Sequence, residues 1–179
     1  MGIFGLTDQG PKFSAIGDLR EGAAKPQNSN TPGAELPYWR FSSEDESAVN
    51  AFVDKIGPKP TAVEVRLPFS SIDENFDAWK EKWGASGLSH RCDGVNTVLM
   101  RTAQGTLTRE PHPCPGGCSR SARLRVMIPA LNRLGLVTVH TSSLYDILNI
   151  SQNLQALTEL SKGELHTIPL ILRRVPKKI

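Results

Sequence analysis

A single loop reads Pro111-His112-Pro113-Cys114-Pro115-Gly116-Gly117-Cys118 and places two cysteines four residues apart. The third cysteine of the chain, Cys92, opens the turn Cys92-Asp93-Gly94. Together with His112, the three thiols make four soft or borderline donors, which is the number that a tetrahedral structural zinc requires. The spacing predicts a closed zinc site with Cys92, His112, Cys114 and Cys118 as ligands.

Three alternatives stay open for these residues. His90 lies two residues before Cys92 and competes with His112 as the fourth ligand. The thiols can instead be small buried hydrophobic groups, although a Pro/Gly-rich loop without apolar periodicity is a poor place to bury them. A Cys114–Cys118 disulfide would leave Cys92 unpaired, and nothing in the sequence marks the chain as secreted. Zinc is the interpretation that we favour.

The composition is that of a globular protein of one domain. The chain has 179 residues and a mass of 19.6 kDa, with 39% hydrophobic and 22% charged residues. A net charge of +3 is mildly basic, which permits contact with nucleic acid without requiring it. No apolar run reaches the roughly 20 residues of a membrane span, and the N-terminus does not resemble a signal peptide. We therefore expect a cytoplasmic protein with no membrane contact, whose thiols stay reduced.

The order of the predicted elements favours an α+β fold, with a mainly antiparallel sheet, about three helices and a small zinc-binding loop. Alternating apolar and polar residues predict strands, and apolar residues at helical spacing predict helices, the first of which has a capping box at Ser43 and Glu46. The predicted helices cover residues 43–56, 74–83 and 143–161. The predicted strands cover residues 38–41, 61–67, 88–92, 97–101, 106–109, 122–128, 136–140 and 167–175.

Two regions follow from this pattern. Residues 1–37 are rich in Gly, Pro, Asn and Ser, which predicts an extended or flexible N-terminal arm. Residues 38–179 are expected to form a single domain, with the zinc-binding insertion around residues 90–120.

The sequence lacks the motifs of the common catalytic sites. There is no phosphate-binding loop, no dinucleotide fingerprint and no nucleophile elbow. Asp93 follows Cys92 directly, and in a Cys-Asp-Gly turn its carboxylate is expected to bond its own backbone. If His112 were not a ligand, a water molecule could take the fourth position, so a metal-dependent hydrolase stays open as an alternative.

Several basic residues are candidates for contact with nucleic acid. Alternation over residues 122–128 places arginines on the outer face of a strand, and a second basic group ends the chain. Arginine and lysine that reach phosphates give salt-dependent affinity, whereas the same residues on a surface can serve solubility alone. The candidates are Arg123, Arg125, Arg173, Arg174, Lys177 and Lys178.

A series of short motifs then resembles a known family. They include Tyr38-Trp39-Arg40-Phe41, Arg91-Cys92-Asp93-Gly94, the loop from Cys114 to Cys118, Arg123-Leu124-Arg125-Val126-Met127-Ile128-Pro129 and Pro169-Leu170-Ile171-Leu172-Arg173-Arg174. In this order they resemble the recombination directionality factor-like family of phages and integrated elements, over about residues 13–179. Where family members often carry a Cys-x-Cys pair, this chain has His112-x-Cys114, an exchange of one zinc ligand for another.

The resemblance implies a non-enzymatic partner of a large serine integrase in a bacterial host or a phage-infected cell. Such a factor binds the integrase on DNA and shifts it from integration towards excision. Zinc would be structural, and direct contact with nucleic acid is possible. The alternatives are a nucleic-acid-binding subunit of another mobile-element or defence complex and a metal-dependent hydrolase.

Overall fold

The computed structural model describes residues 13–24 and 33–175. Three α-helices lie in these residues: α1 (Glu46–Lys55), α2 (Ile72–Asn75) and α3 (Leu144–Leu160). Ten strands accompany them: β1 (Ala15–Gly22), β2 (Glu35–Ser42), β3 (Ala62–Arg66), β4 (Phe76–Gly84), β5 (Gly87–Cys92), β6 (Thr97–Arg101), β7 (Leu107–Thr108), β8 (Ser119–Val126), β9 (Leu136–Thr141) and β10 (Pro169–Arg173). The expected α+β class with a mainly antiparallel sheet is confirmed.

The chain divides into two compact units. Of the described residues, unit 1 contains 13–24, 33–68, 125–138 and 169–175, and unit 2 contains 69–124 and 139–168. The predicted N-terminal arm, residues 1–37, contains β1, which is a paired strand and not free chain. Residues 1–12 and 25–32 of that arm lie outside the described residues. No helix in the described part of the chain has both the length and the apolar character to cross a lipid bilayer.

Unit 1 is built from two antiparallel strand pairs and α1. In the first pair Leu19 of β1 lies opposite Phe41 of β2, and in the second Val65 of β3 lies opposite Leu170 of β10. The Phe41 ring stacks on Phe52 of α1 with 4.7 Å between ring centroids. Leu19, Phe52 and Val65 are buried, so alternate residues of the strands and one face of α1 form the core of this unit.

The cap of α1 differs from the predicted one. Asp45 is the N-cap, and its carboxylate accepts a hydrogen bond of 2.9 Å from the Ser47 N–H. Ser43, the expected cap, instead donates its hydroxyl to the Ile16 carbonyl of β1. Serine and aspartate both cap helices well, and Asp45 is the cap because the Ser43 hydroxyl is bonded to the Ile16 carbonyl. The hydrogen bond from Ser47 and the pairing with Arg133 hold the pKa of Asp45 at about 2.

Unit 2 carries the cysteines. Within it the strands lie in the order β8, β4, β5, β6, β7, and each neighbouring pair is antiparallel. Ser143 caps α3 by accepting a hydrogen bond from the Asp146 N–H. Leu154 of α3 is buried in the core of this unit, together with Phe76, Ala122, Leu124 and Val139.

The second predicted helix, residues 74–83, is wrong. Only the short α2 precedes it, and β4 begins at Phe76. Phe76, Trp79 and Trp83 are spaced by three and four residues, as on one face of a helix, whereas in β4 only Trp79 and Trp83 share a face. The aromatic spacing therefore indicated a helix. Strands β5 and β8 flank β4 on both sides and bond its backbone, which decides for the strand.

Candidate metal centre

Strand β5 presents the first two donors of the centre. His90 and Cys92 are two residues apart, so both side chains project from the same face of the strand. Both are buried, with 2% and 0% of their surface exposed. The chain then turns at Gly94, whose φ of +113° suits glycine and strains other residues.

Backbone hydrogen bonds bring the Pro/Gly-rich loop to this turn. The Cys114 N–H donates to the Val95 carbonyl at 2.8 Å, and the Thr97 N–H donates to the His112 carbonyl at 2.8 Å. The Thr97 hydroxyl lies 3.2 Å from the same carbonyl. These bonds fix the loop beside β5, so that Cys114 reaches Cys92 although 22 residues separate them in the chain.

Three sulfur atoms and one imidazole nitrogen meet at this point. The Sγ atoms of Cys92 and Cys114 are 3.2 Å apart, those of Cys114 and Cys118 are 3.5 Å apart, and those of Cys92 and Cys118 are 3.6 Å apart. His90 Nε2 lies 2.9 Å from Cys118 Sγ and 3.8 Å from Cys114 Sγ. All three thiols are free, and the alternative of a disulfide does not hold, because bonded sulfurs lie about 2.05 Å apart.

These distances fit a tetrahedral ion. Zinc bonds of about 2.3 Å to sulfur and about 2.05 Å to nitrogen place ligand atoms about 3.8 Å and 3.6 Å apart in an ideal tetrahedron. Every measured separation lies within about 0.7 Å of these values. His90, Cys114 and Cys118 alone form a group that can hold a metal ion, with donor atoms within 4.8 Å of one another. Cys92 is not part of this group of mutually close donors, but its Sγ lies 3.2 and 3.6 Å from the sulfurs of Cys114 and Cys118, which makes it the candidate for a fourth donor.

The neighbouring thiols change one another's pKa values in this arrangement. Burial and the neighbouring thiols of Cys114 and Cys92 raise the pKa of Cys118 to about 12. A hydrogen bond from the Gly116 N–H lowers the pKa of Cys114, and Lys80 adds to this effect. A divalent cation bound here would be the largest charge in the site and would favour the thiolate forms, so that metal binding would be coupled to thiol ionisation.

His112, the preferred fourth ligand in the sequence analysis, does not supply the imidazole of this cluster. Its ring is half-exposed and lies 3.9 Å from the Glu110 carboxylate. His90, the alternative ligand, lies beside the sulfurs instead, because residues 90 and 92 project from the same face of β5. The loop is held to β6 through the backbone carbonyl of His112, which accepts a hydrogen bond from the Thr97 N–H. Metal binding itself remains a prediction for all of these residues.

Asp93 has the expected turn role. Its Oδ1 accepts hydrogen bonds of 2.7 Å from the N–H groups of Val95 and Asn96. These two backbone bonds lower the pKa of the carboxyl group. Asp93 therefore shapes the turn that carries Cys92, and its carboxylate is committed to backbone donors.

A buried ion network lies on the opposite face of β4 and β5. The Glu81 side chain is 1% exposed and receives a two-pronged contact from Arg123, at 2.7 and 3.0 Å. Arg91, directly opposite Glu81 in the sheet, donates to the same carboxylate at 2.8 Å, and the Trp83 indole N–H donates at 3.1 Å. Burial alone raises the pKa of Glu81, but the hydrogen bonds from Arg123, Trp83 and Arg91 outweigh it and hold the pKa at about 2.

The residues predicted to contact nucleic acid lie in different environments. Arg123 is engaged with Glu81 and Asp77, and Arg174 is engaged with the Glu35 carboxylate and the Leu36 carbonyl. Arg125 is half-buried and has an interaction partner, whereas Arg173 is exposed. Lys177 and Lys178 lie outside the described residues. Their contact with nucleic acid remains a prediction.

Comparison with known proteins gives one match. The family model described as Gp3-like, recombination directionality factor-like, matches residues 16–179, which is nearly the whole chain. No curated protein and no solved structure matches the chain.

Proposed function

Since this chain belongs to the recombination directionality factor-like family, we propose that it acts without catalysis, by binding a recombinase–DNA complex and biasing the direction of recombination. The partner would be a large serine integrase of a phage or another mobile element, in the cytoplasm of the host. In this proposal a single zinc ion, bound by His90, Cys92, Cys114 and Cys118, stabilises the surface that the complex recognises.

The observation that carries the structural role of the metal is the number of donors. Three sulfur atoms lie 3.2 to 3.6 Å apart, and the His90 imidazole lies beside two of them. A zinc ion that bound all four residues would keep no open position for a substrate or a water nucleophile. Catalytic zinc has three protein ligands and one open position. The donor set therefore favours a structural site over the hydrolase alternative.

The ion would hold two loops in one arrangement. The turn over residues 92–97 and the loop over residues 111–118 are joined by a few backbone bonds, and the sulfur ligands come from both. A structural zinc ion adds its binding free energy to the folding of the segment that supplies the ligands. The exposed parts of these loops would thus be presented rigidly to a partner.

A rigid binding protein suffices to set a direction. A ligand shifts an equilibrium between two assemblies by its difference in affinity for them, and a change from 1:99 to 99:1 requires about 5.5 kcal/mol. This free energy can come from an interface alone. No reacting group on this chain is needed for it.

The test is a recombination assay with purified components. The chain is added to the serine integrase of the same mobile element, with DNA that carries either the two integration sites or the two junctions that integration produces. We expect the chain to inhibit recombination of the integration sites and to permit recombination of the junctions. His112→Ala should behave like the unmodified chain, whereas His90→Ala should lose the effect. Equal rates with and without the chain on both substrates would refute the proposal.

A further inference from the structure

Three basic side chains lie together beside the candidate metal centre. Lys80 of β4 is directly opposite Arg120 of β8 on one side and Cys92 of β5 on the other. Lys82 is directly opposite His90. Residues that are paired across antiparallel strands lie on the same face of a sheet. Lys80, Lys82 and Arg120 therefore share the face from which His90 and Cys92 project, and we call this group the basic face.

The basic face is exposed and uncompensated by carboxylates. All three side chains are exposed, and among residues 13–24 and 33–175 none of them forms an ion pair with an acidic group. The opposite face of the same strands differs, because Arg91 and Arg123 there are paired with the carboxylates of Glu81 and Asp77. The sheet of unit 2 thus has one internally paired face and one face with free cations.

Glycines of the two metal-carrying loops lie beside the lysines. A Cβ atom at Gly117 would lie 3.3 Å from Lys82 Nζ, and one at Gly94 would lie 3.6 Å from Lys80 Nζ. The ammonium groups therefore rest against backbone that carries no side chain. A ligand that reaches these ammonium groups meets glycine backbone beside them and no covering side chain from Gly94 or Gly117.

Charge compensation of the metal centre does not account for all three cations. One zinc ion with three thiolates and a neutral imidazole has a net charge of −1. Three cations beside it leave a surplus of two positive charges on the face. The lysines can stabilise the thiolates and still offer positive charge to a ligand.

We propose that the basic face of Lys80, Lys82 and Arg120 contacts the phosphate backbone of double-stranded DNA. Lysine is depleted in the centres of protein–protein interfaces, whereas interfaces with DNA are strongly positive and bond mainly to phosphates. An acidic protein is therefore the less favoured ligand. The choice of DNA over RNA rests on the proposed function, and the phosphate chemistry rests on the three cations.

The experiment measures binding of the purified, zinc-loaded chain to random-sequence duplex DNA, without recombinase, over a range of salt concentrations. Each phosphate contact contributes a slope of about −0.9 in log K against log salt, so removal of two contacts at 0.1 M salt weakens binding by about 60-fold. We expect this loss and a shallower slope for Lys80→Gln/Lys82→Gln. Arg120→Gln should lose about 8-fold.

The matched control removes the same charge elsewhere. Lys55→Gln/Lys162→Gln changes two exposed lysines that are not part of β4, β5 or β8, and we expect DNA binding to stay within about twofold. Bound zinc and the thermal unfolding curve show that each variant is folded. An equal loss in the control double variant, salt-independent binding, or tighter binding to duplex RNA or to a polyglutamate peptide than to DNA would overturn the inference. Because no recombinase is present, failure of the recombination assay leaves this result unaffected.

Discussion

Glu81 offers a sharp test of how unit 2 is stabilised. Its buried carboxylate is the common acceptor of Arg91 and Arg123, and Glu81→Gln removes the charge while it keeps the size of the side chain. Removal of one partner from a buried ion pair costs about 3–5 kcal/mol, because the remaining charge is left without compensation. For Glu81→Gln we expect a loss of stability near the lower limit of this range, for two structural reasons.

The first reason is that the two arginine side chains are partly exposed, by 27% and 21%, so water can solvate them after the substitution. The second is that Arg123 retains Asp77 at 3.4 Å. The expected loss is therefore about 3 kcal/mol in the free energy of unfolding. With a urea dependence of about 2 kcal/mol per molar, the midpoint should fall by about 1.5 M.

Urea unfolding followed by tryptophan fluorescence and by circular dichroism measures this shift. Glu64→Gln is the control, because Glu64 is exposed on β3 and its replacement should change the free energy of unfolding by no more than about 0.5 kcal/mol. A loss below about 1 kcal/mol for Glu81→Gln, similar to the control, would refute the view that this network stabilises the fold.

Three further outcomes follow from the same structure. Because the pKa of Glu81 is depressed to about 2, its stabilising contribution is complete above the ordinary carboxyl pKa of 4.5 and is lost as the pH falls towards 2; acid titration should show less loss over this range in Glu81→Gln than in the unmodified chain, and parallel curves would contradict the assignment. Gly117 has a φ of +71°, so Gly117→Ala should lower the free energy of unfolding by about 1–2 kcal/mol and weaken metal binding, measured by competition with a chromophoric chelator. Gly84→Ala, where an added Cβ meets no neighbouring atom, should change neither. Equal metal affinities in the two variants would argue against a strained loop. Chelation and Cys114→Ser should each lower the thermal midpoint of the zinc-loaded chain, because metal binding contributes to folding; an unchanged midpoint by calorimetry would argue against a structural ion.

Local sequence patterns predicted most of the strands, but β1 was assigned to the N-terminal arm and β4 to a helix. Val63 and Val65 alternate with polar residues, and this period belongs only to a strand with one buried face. In residues 74–83 the aromatic spacing of three and four residues favours a helix, and the strand forms because β5 and β8 bond β4 from both sides. Pairing between distant segments is not visible in a local pattern.

The candidate site was likewise predicted in part from the sequence. The thiols of Cys92, Cys114 and Cys118 were predicted as one group from their type and spacing, and the structure places them together. The choice between His90 and His112 depends on the direction in which each side chain points. A stricter application of strand alternation would have favoured His90, because residues 90 and 92 of one strand share a face.

Glu81 and the basic face were missed for a related reason. Under the helical prediction, Lys80, Glu81 and Lys82 project in three different directions around a helix. In a strand, the lysines share one face and Glu81 lies on the other. The error in one element therefore concealed both the buried network and the exposed cations.

The most direct test of a zinc-stabilised scaffold is the metal content and coordination of the purified chain, with two histidine variants compared. X-ray absorption and elemental analysis should find one zinc ion per chain, with three sulfur ligands and one nitrogen ligand. His112→Ala should keep this ion and His90→Ala should lose affinity for it, because only His90 lies among the sulfurs. A chain purified from zinc-supplemented cells without metal, or one in which His112→Ala alone loses it, would contradict the account.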